Sequence, residues 1–137
     1  MQGNCIFCKI NAGEIPSATV YEDENFKVIM DISPAAKGHM IMLSKRHCAN
    51  LLELDDESAA SALIIARKLA RALKEELNCD GINLVQNNGE ASGQTVFHFH
   101  IHLIPRYDND QMSLGWAPGK YEDGEAATFA AALAARL

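Results

Sequence analysis

Three histidines at alternate positions, in His98-Phe99-His100-Ile101-His102, are the residues of this 137-residue chain best suited to chemistry. Alternate residues of an extended strand share a face. Over Thr95 to Ile104, His98, His100 and His102 would therefore point one way with Val96 and Ile104, and Phe97, Phe99, Ile101 and Leu103 the other. The second set suits a core. The first lines up imidazoles about 7 Å apart, as the rise per residue dictates. Each buried imidazole needs a hydrogen-bond partner or a metal, so packing alone does not explain three of them. Neutral imidazole is also a nucleophile near pH 7. Just upstream, Asn87-Asn88-Gly89-Glu90-Ala91-Ser92-Gly93 is rich in residues that tolerate unusual backbone angles. Such a loop can turn N–H groups toward an anion, and Ser92, Gln94 and Thr95 add side-chain donors. A phosphate held there could be attacked by one imidazole while a neighbour donates to its oxygens.

A second cluster with chemical potential is Cys5-Ile6-Phe7-Cys8. This spacing serves zinc, redox chemistry or neither. Only four residues precede Cys5, too few for the strand that a thioredoxin-like motif follows. A closed structural zinc site needs four nitrogen or sulfur ligands, and His47 with one histidine of the alternating set is available to complete it. Cys48 and Cys79 read as plain buried thiols.

The elements that must position these residues form an α+β pattern. Val20 to Glu22 and Phe26 to Asp31 read as strands around the turn Asp23-Glu24-Asn25, and Asp31-Ile32-Ser33-Pro34 ends the second of them. Asp31 there also suits an Asx turn. His39 to Leu43 and Ile82 to Gln86 are further strands. The fifth runs from Thr95 to Ile104 and is closed by Pro105. One long helix is expected from Asp56 to Leu77, with Ala59, Leu63, Ala66, Ala70, Leu73 and Leu77 as its apolar stripe. Acidic Asp55-Asp56-Glu57 at its start and Asn78-Cys79-Asp80-Gly81 at its end supply start and stop chemistry. An Ala-rich helix follows from Glu125 to Leu137.

Size and composition narrow the function. A chain of this length fits one compact domain, and 48% hydrophobic content is ordinary for a globular protein. The net charge of −6 opposes binding a nucleic-acid polymer, which needs a field of Lys and Arg. An anionic ligand must therefore be small and held by local donors. No basic segment followed by an apolar run opens the chain, and no apolar stretch is long enough to span a membrane. The protein is expected to be cytoplasmic, without a membrane partner, and its cysteines reduced.

The stretch Gln94-Thr95-Val96-Phe97-His98-Phe99-His100-Ile101-His102-Leu103-Ile104 resembles the signature of the histidine-triad (HIT) superfamily. The similarity extends to Cys5-Ile6-Phe7-Cys8-Lys9-Ile10, Asp31-Ile32-Ser33-Pro34, Gly38-His39 and Asn87-Asn88-Gly89, and the bacterial Hit group related to the Hint branch is the nearest likeness. The resemblance implies an antiparallel five-stranded sheet with one long helix and a C-terminal helix. It implies a single HIT domain over 1–137, with a core at about 4–106 and an extension at 107–137. It implies that His100 attacks the α-phosphorus of a nucleotide to give a nucleotidyl-histidine, and that water then releases the nucleoside monophosphate. His102, His39 and Gln94 match the residues that assist. Asp31 and Ile32 match the ribose and nucleoside contacts, and Asn87, Gly93 and Thr95 the phosphate or leaving-group side. Cys5, Cys8, His47 and His98 match the ligands of a structural zinc found in some relatives.

Phosphoramidates and dinucleoside polyphosphates are both implied as substrates. Gln94-Thr95 and Pro105-Arg106 look similar to the Fhit branch, which cleaves dinucleoside polyphosphates, whereas the Cys pair and Asp31-Ile32-Ser33-Pro34 look like Hint-type relatives, which favour phosphoramidates. A purine nucleotide and a second copy of the chain are the implied partners. A zinc-stabilised nucleotide-binding or interaction module with little turnover is the alternative. The chain departs from the eukaryotic Hint pattern after Trp116-Ala117-Pro118-Gly119, where a further helix follows.

Overall fold

The computed structural model describes residues 3–137; Met1 and Gln2, part of the start read above for a targeting signal, lie outside the described residues. A short helix α1 (Ile6–Asn11) precedes the strands β1 (Thr19–Glu22), β2 (Phe26–Met30) and β3 (Met40–Ser44). The long helix α2 (Asp56–Leu77) leads to β4 (Gly81–Val85), β5 (His100–Arg106) and the C-terminal helix α3 (Glu125–Ala134). The five strands form one antiparallel sheet in the order β1-β2-β3-β5-β4. This is the expected α+β architecture. No helix of the described chain is long and apolar enough to cross a membrane.

The two sides of the sheet carry different cargo because side chains alternate along each strand. Phe26, Val28, Met40, Met42, Ile101 and Leu103 face α2 and pack with its Ile65 and Leu69. The opposite side presents Ile29, Ile41 and Leu43, which pack under Phe7 and Ile10 of α1, together with His100 and His102. Helix α2 starts where Asp55 accepts from the Ser58 N–H, and ends at Asn78 in the left-handed conformation.

Four expectations change in detail. The buried stripe of α2 is Ala62, Ile65, Ala66, Leu69 and Leu73, while Leu63 is 69% and Ile64 51% exposed. The helix is apolar on more than one face, and the sheet takes the face next to the one that spacing favours. The final strand begins at His100 and not at Thr95. The preceding backbone bonds to the end of β3 and the loop after it instead: the Ser44 N–H donates to the Phe99 carbonyl and the Phe99 N–H to the Cys48 carbonyl. Pro105 lies within β5, opposite Ile82 of β4. It is tolerated because β3 pairs with β5 only as far as Leu103, so the missing N–H costs no bond to β3. The C-terminal helix stops at Ala134 rather than Leu137.

Candidate functional site

The alternating histidines divide between two clusters. His98 lies before β5, beneath α1, where Phe7 packs edge-on against it with 5.8 Å between centroids. Its Nε2 sits 2.7 Å from the Ser44 carbonyl, an acceptor only, so Nε2 carries the proton and Nδ1 keeps its lone pair. That Nδ1 lies 3.4 Å from Cys5 Sγ, 3.5 Å from Cys8 Sγ and 3.2 Å from His47 Nδ1. Cys8 Sγ is 3.3 Å from His47 Nδ1. Bond lengths to a tetrahedral zinc require ligand atoms about 3.3–3.8 Å apart, so these four donors fit such an ion. Cys5, Cys8, His47 and His98 thus form a group able to hold a metal. The group fastens the start of α1 to the segments that follow β3 and precede β5.

His100 and His102 lie on β5 with ring centroids 5.0 Å apart, steeply inclined to one another. The His100 Nδ1 donates to the His98 carbonyl at 2.6 Å, which leaves the lone pair on Nε2 and fixes the ring's tautomer. Phe7 packs edge-on against this ring, 4.9 Å between centroids. Burial lowers the His100 pKa, against the opposing pull of the His98 carbonyl and Asp31, so the ring is held neutral.

His102 belongs to a relay that begins in the loop before β3. The Ala35 N–H donates to His39 Nδ1 at 3.0 Å, so neutral His39 carries its proton on Nε2. That Nε2 is 2.9 Å from His102 Nδ1 and 3.5 Å from Asp31 Oδ2. Accepting at Nδ1 leaves His102 with its own proton on Nε2, a neutral donor beside the His100 lone pair. Burial lowers the His102 pKa to about 4, with His100 and His39 acting in the same direction. Burial also lowers His39, against the attraction of Asp31. The pair therefore presents one lone pair and one N–H, as transfer of a phosphorus group to His100 would need.

The remaining predicted residues stand at varied distances from this centre. Asp31 is near His39, but its Oδ1 accepts from the Ser33 N–H at 2.8 Å, the Asx turn that its sequence context suits. Ile32 is 95% exposed beside it, an apolar side chain that nothing in the chain covers. Gln94 is 3% exposed, with both ends engaged: Oε1 accepts from the Gly89 N–H at 2.8 Å, and Nε2 donates to the Ala49 and Val96 carbonyls at 2.6 and 3.1 Å. It shapes the glycine loop from beneath. Gly89 and Gly93 have φ of +93° and +101°, which only glycine adopts at little cost. A Cβ at Gly93 would also touch the Asn87 amide nitrogen. Thr95 is exposed at the loop's exit. Sequence reasoning missed Phe7, Ala35 and Ser44. The last two act through backbone groups, which no residue type announces, and Phe7 was legible only as the apolar residue between two cysteines.

An open five-stranded antiparallel sheet bearing alternating histidines opposite its long helix defines a histidine-triad protein. A family model described as the HIT domain matches residues 12–109, and the chain belongs to that family. It is 51% identical over 104 residues to Protein hit of Bacillus subtilis, covering 76% of this chain and 72% of that protein. It is 42% identical over 113 residues to adenosine 5′-monophosphoramidase HNT1 of Saccharomyces cerevisiae, covering 82% and 69%. Among solved structures, a HIT family member from Bacillus subtilis superposes with a TM-score of 0.92 at 43% identity, over 98% of this chain and 97% of that one. A HIT family protein from Bacillus anthracis gives 0.93 at 41% identity, over 100% and 99%. A Zn-bound histidine triad family protein from Mycobacterium smegmatis gives 0.76 at 37% identity, over 98% of each.

Proposed function

We propose that this protein is a cytoplasmic nucleotide hydrolase, acting as a single HIT domain, that cleaves nucleoside 5′-phosphoramidates through a covalent nucleotidyl-histidine. The observation that carries the reading is the tautomer pair: His100 locked with its lone pair on Nε2, beside a neutral His102 that donates from Nε2. In the first step His100 Nε2 forms a bond to the α-phosphorus while the P–N bond breaks, and the departing amine takes a proton from solvent as it leaves. Water then attacks the same phosphorus, the P–N bond to His100 breaks, and the nucleoside monophosphate departs. His102 donates to a non-bridging oxygen throughout, and His39 keeps His102 in the donor tautomer. Asp31, whose Oδ2 lies 3.5 Å from His39 Nε2, would accept from the ribose hydroxyls, and exposed Ile32 offers a seat for a purine base. Asn87, Gly93 and Thr95 line the leaving-group side, on a loop that Gln94 braces. The activity of HNT1, a phosphoramidase, favours this substrate class over dinucleoside polyphosphates.

Zinc is the ion proposed for Cys5, Cys8, His47 and His98, supported by ligand spacing and by the Zn-bound relative. Its chemistry there would be structural, holding the backbone of His98 whose carbonyl orients His100. The active form is taken to be a homodimer.

The test is AMP release from adenosine 5′-phosphoramidate by wild type and His100→Ala, with a diadenosine polyphosphate alongside. Loss of an essential nucleophile should lower turnover by at least about 10³-fold, and wild-type protein should show an adenylated mass. Turnover unchanged in the variant would overturn the role of His100. No turnover of either substrate by folded wild type would favour a nucleotide-binding module.

A further inference from the structure

Phe7, the second residue of α1, stands between Cys5 and Cys8 in the chain and is 7% exposed. It packs with Ile10, Ile29, Ile41 and Leu43 on the histidine side of the sheet. Leu43 pairs with His100 across β3 and β5, and side chains opposed in this way share a face, their Cβ atoms about 4.5–5.5 Å apart. The Phe7 ring rests over that pair. It meets His100 at 4.9 Å between centroids with 74° between the ring planes, and His98 at 5.8 Å with 85°. Burial alone would be satisfied by any apolar side chain of this size. A steep ring-to-ring contact does more, because aromatic pairs prefer defined geometries and so bias the plane of the partner.

Little else holds the His100 plane. The torsion that turns an imidazole is broad and roughly two-fold. The bond from Nδ1–H to the His98 carbonyl at 2.6 Å fixes one ring atom and leaves the ring able to tilt about it. His102 flanks the ring with 5.0 Å between centroids, but is itself only half-buried. Phe7 is the firmly packed neighbour, on a helix whose Cys8 and Ile10 are also buried. The plane matters because a misplacement of about 1 Å at a reacting atom can cost about 10²-fold in rate.

We propose that Phe7 is a positioning residue for the nucleophile: its ring, wedged against the His100 imidazole by the core beneath α1, sets the plane in which Nε2 presents its lone pair. The inference rests on the proposed role of His100 and deepens it. Phe7 acts through that ring and not on the substrate.

Phe7→Leu and Phe7→Met each remove the ring and keep an apolar side chain, and either one that folds suffices. Ile10→Ala, from the same helix and cluster, is the packing control. Two readouts are taken on full-length protein: the imidazole 15N shifts of His100 without substrate near neutral pH, and kcat and KM for AMP release from adenosine 5′-phosphoramidate. A tilted ring loses its bond to the His98 carbonyl, so the shifts should move from a single Nδ1–H tautomer toward the average of the two. Turnover, kcat, should fall about 10–100-fold, with KM within about twofold of wild type. Ile10→Ala should keep the wild-type shifts and kcat. Unchanged His100 shifts in a folded ring-less variant overturn the proposal, and so does an equal change in Ile10→Ala, which would make Phe7 ordinary packing. A raised KM with kcat intact overturns it as well, by making Phe7 a nucleotide contact. Shifts that move in the variant while wild type turns nothing over support the orienting role and remove the proposed reaction alone.

Discussion

At the scale of single residues, the site is an exercise in assigning protons. Three backbone groups decide which nitrogen of each ring is protonated: the carbonyls of His98 and Ser44 and the N–H of Ala35, which acts on His102 through His39. Replacing His39 by Phe would remove the acceptor for Ala35 and the donor to His102 while filling similar space. Its consequence should be a fall in kcat of about 10–100-fold with KM little changed, because His102 would then populate both tautomers. An equal rise in KM with kcat intact would instead make His39 a binding residue. The same burial makes stability depend on pH. The folded His102 titrates at about 4 against 6.5 unfolded, so between these values the unfolded chain binds more protons. Stability is complete above pH 6.5 and declines as pH falls toward 4, by about 3 kcal/mol for a shift of this size. Denaturant midpoints between pH 7.5 and 4.5 read this directly, and His102→Asn should flatten the slope.

At the scale of elements, the parts that position the site were legible to different degrees. Helix α2 has the boundaries its caps announce, and every strand but the last lies within two residues of its expected limits, because local chemistry alone sets them. The buried face of α2 was not legible, since Leu63 and Ile64 satisfy the same spacing as Ile65 and Leu69 and only the sheet chooses. Nor was the start of the last strand, because strict alternation continues through Phe99, whose N–H bonds to the Cys48 carbonyl in the loop after β3. The histidine motif named the residues proposed to react; it was silent on the carbonyls that orient them. Gly38 illustrates a constraint carried by an element junction. Its φ is +103°, and a Cβ there would press into Leu77 of α2. Gly38→Ala, adjacent to His39, should cost about 1–3 kcal/mol from the strained φ and the displaced leucine, seen as a lower melting temperature. An unchanged Tm would mean that the loop before β3 adjusts freely.

At the scale of the whole molecule, the Cys5–Cys8–His47–His98 group ties α1 to the segments that follow β3 and precede β5. If zinc fills it, chelation should lower Tm by at least about 10 °C, since each kcal/mol lost shifts Tm by about 2–4 °C at this size. Native mass spectrometry should show one zinc per chain, lost in step with that change; a metal-free protein with unaltered Tm would remove zinc from the account. Activity per folded molecule should fall less than stability, because no reacting group is a ligand. The distribution of these ligands also bears on how the protein is made. Cys5 and His98 are 93 residues apart, so at about 5–20 residues per second roughly 5–20 s of synthesis separate the first thiol from the last imidazole. During that interval two neighbouring thiols on the nascent chain await half of their coordination sphere, and a reducing compartment matters more to the protein's birth than to its finished state.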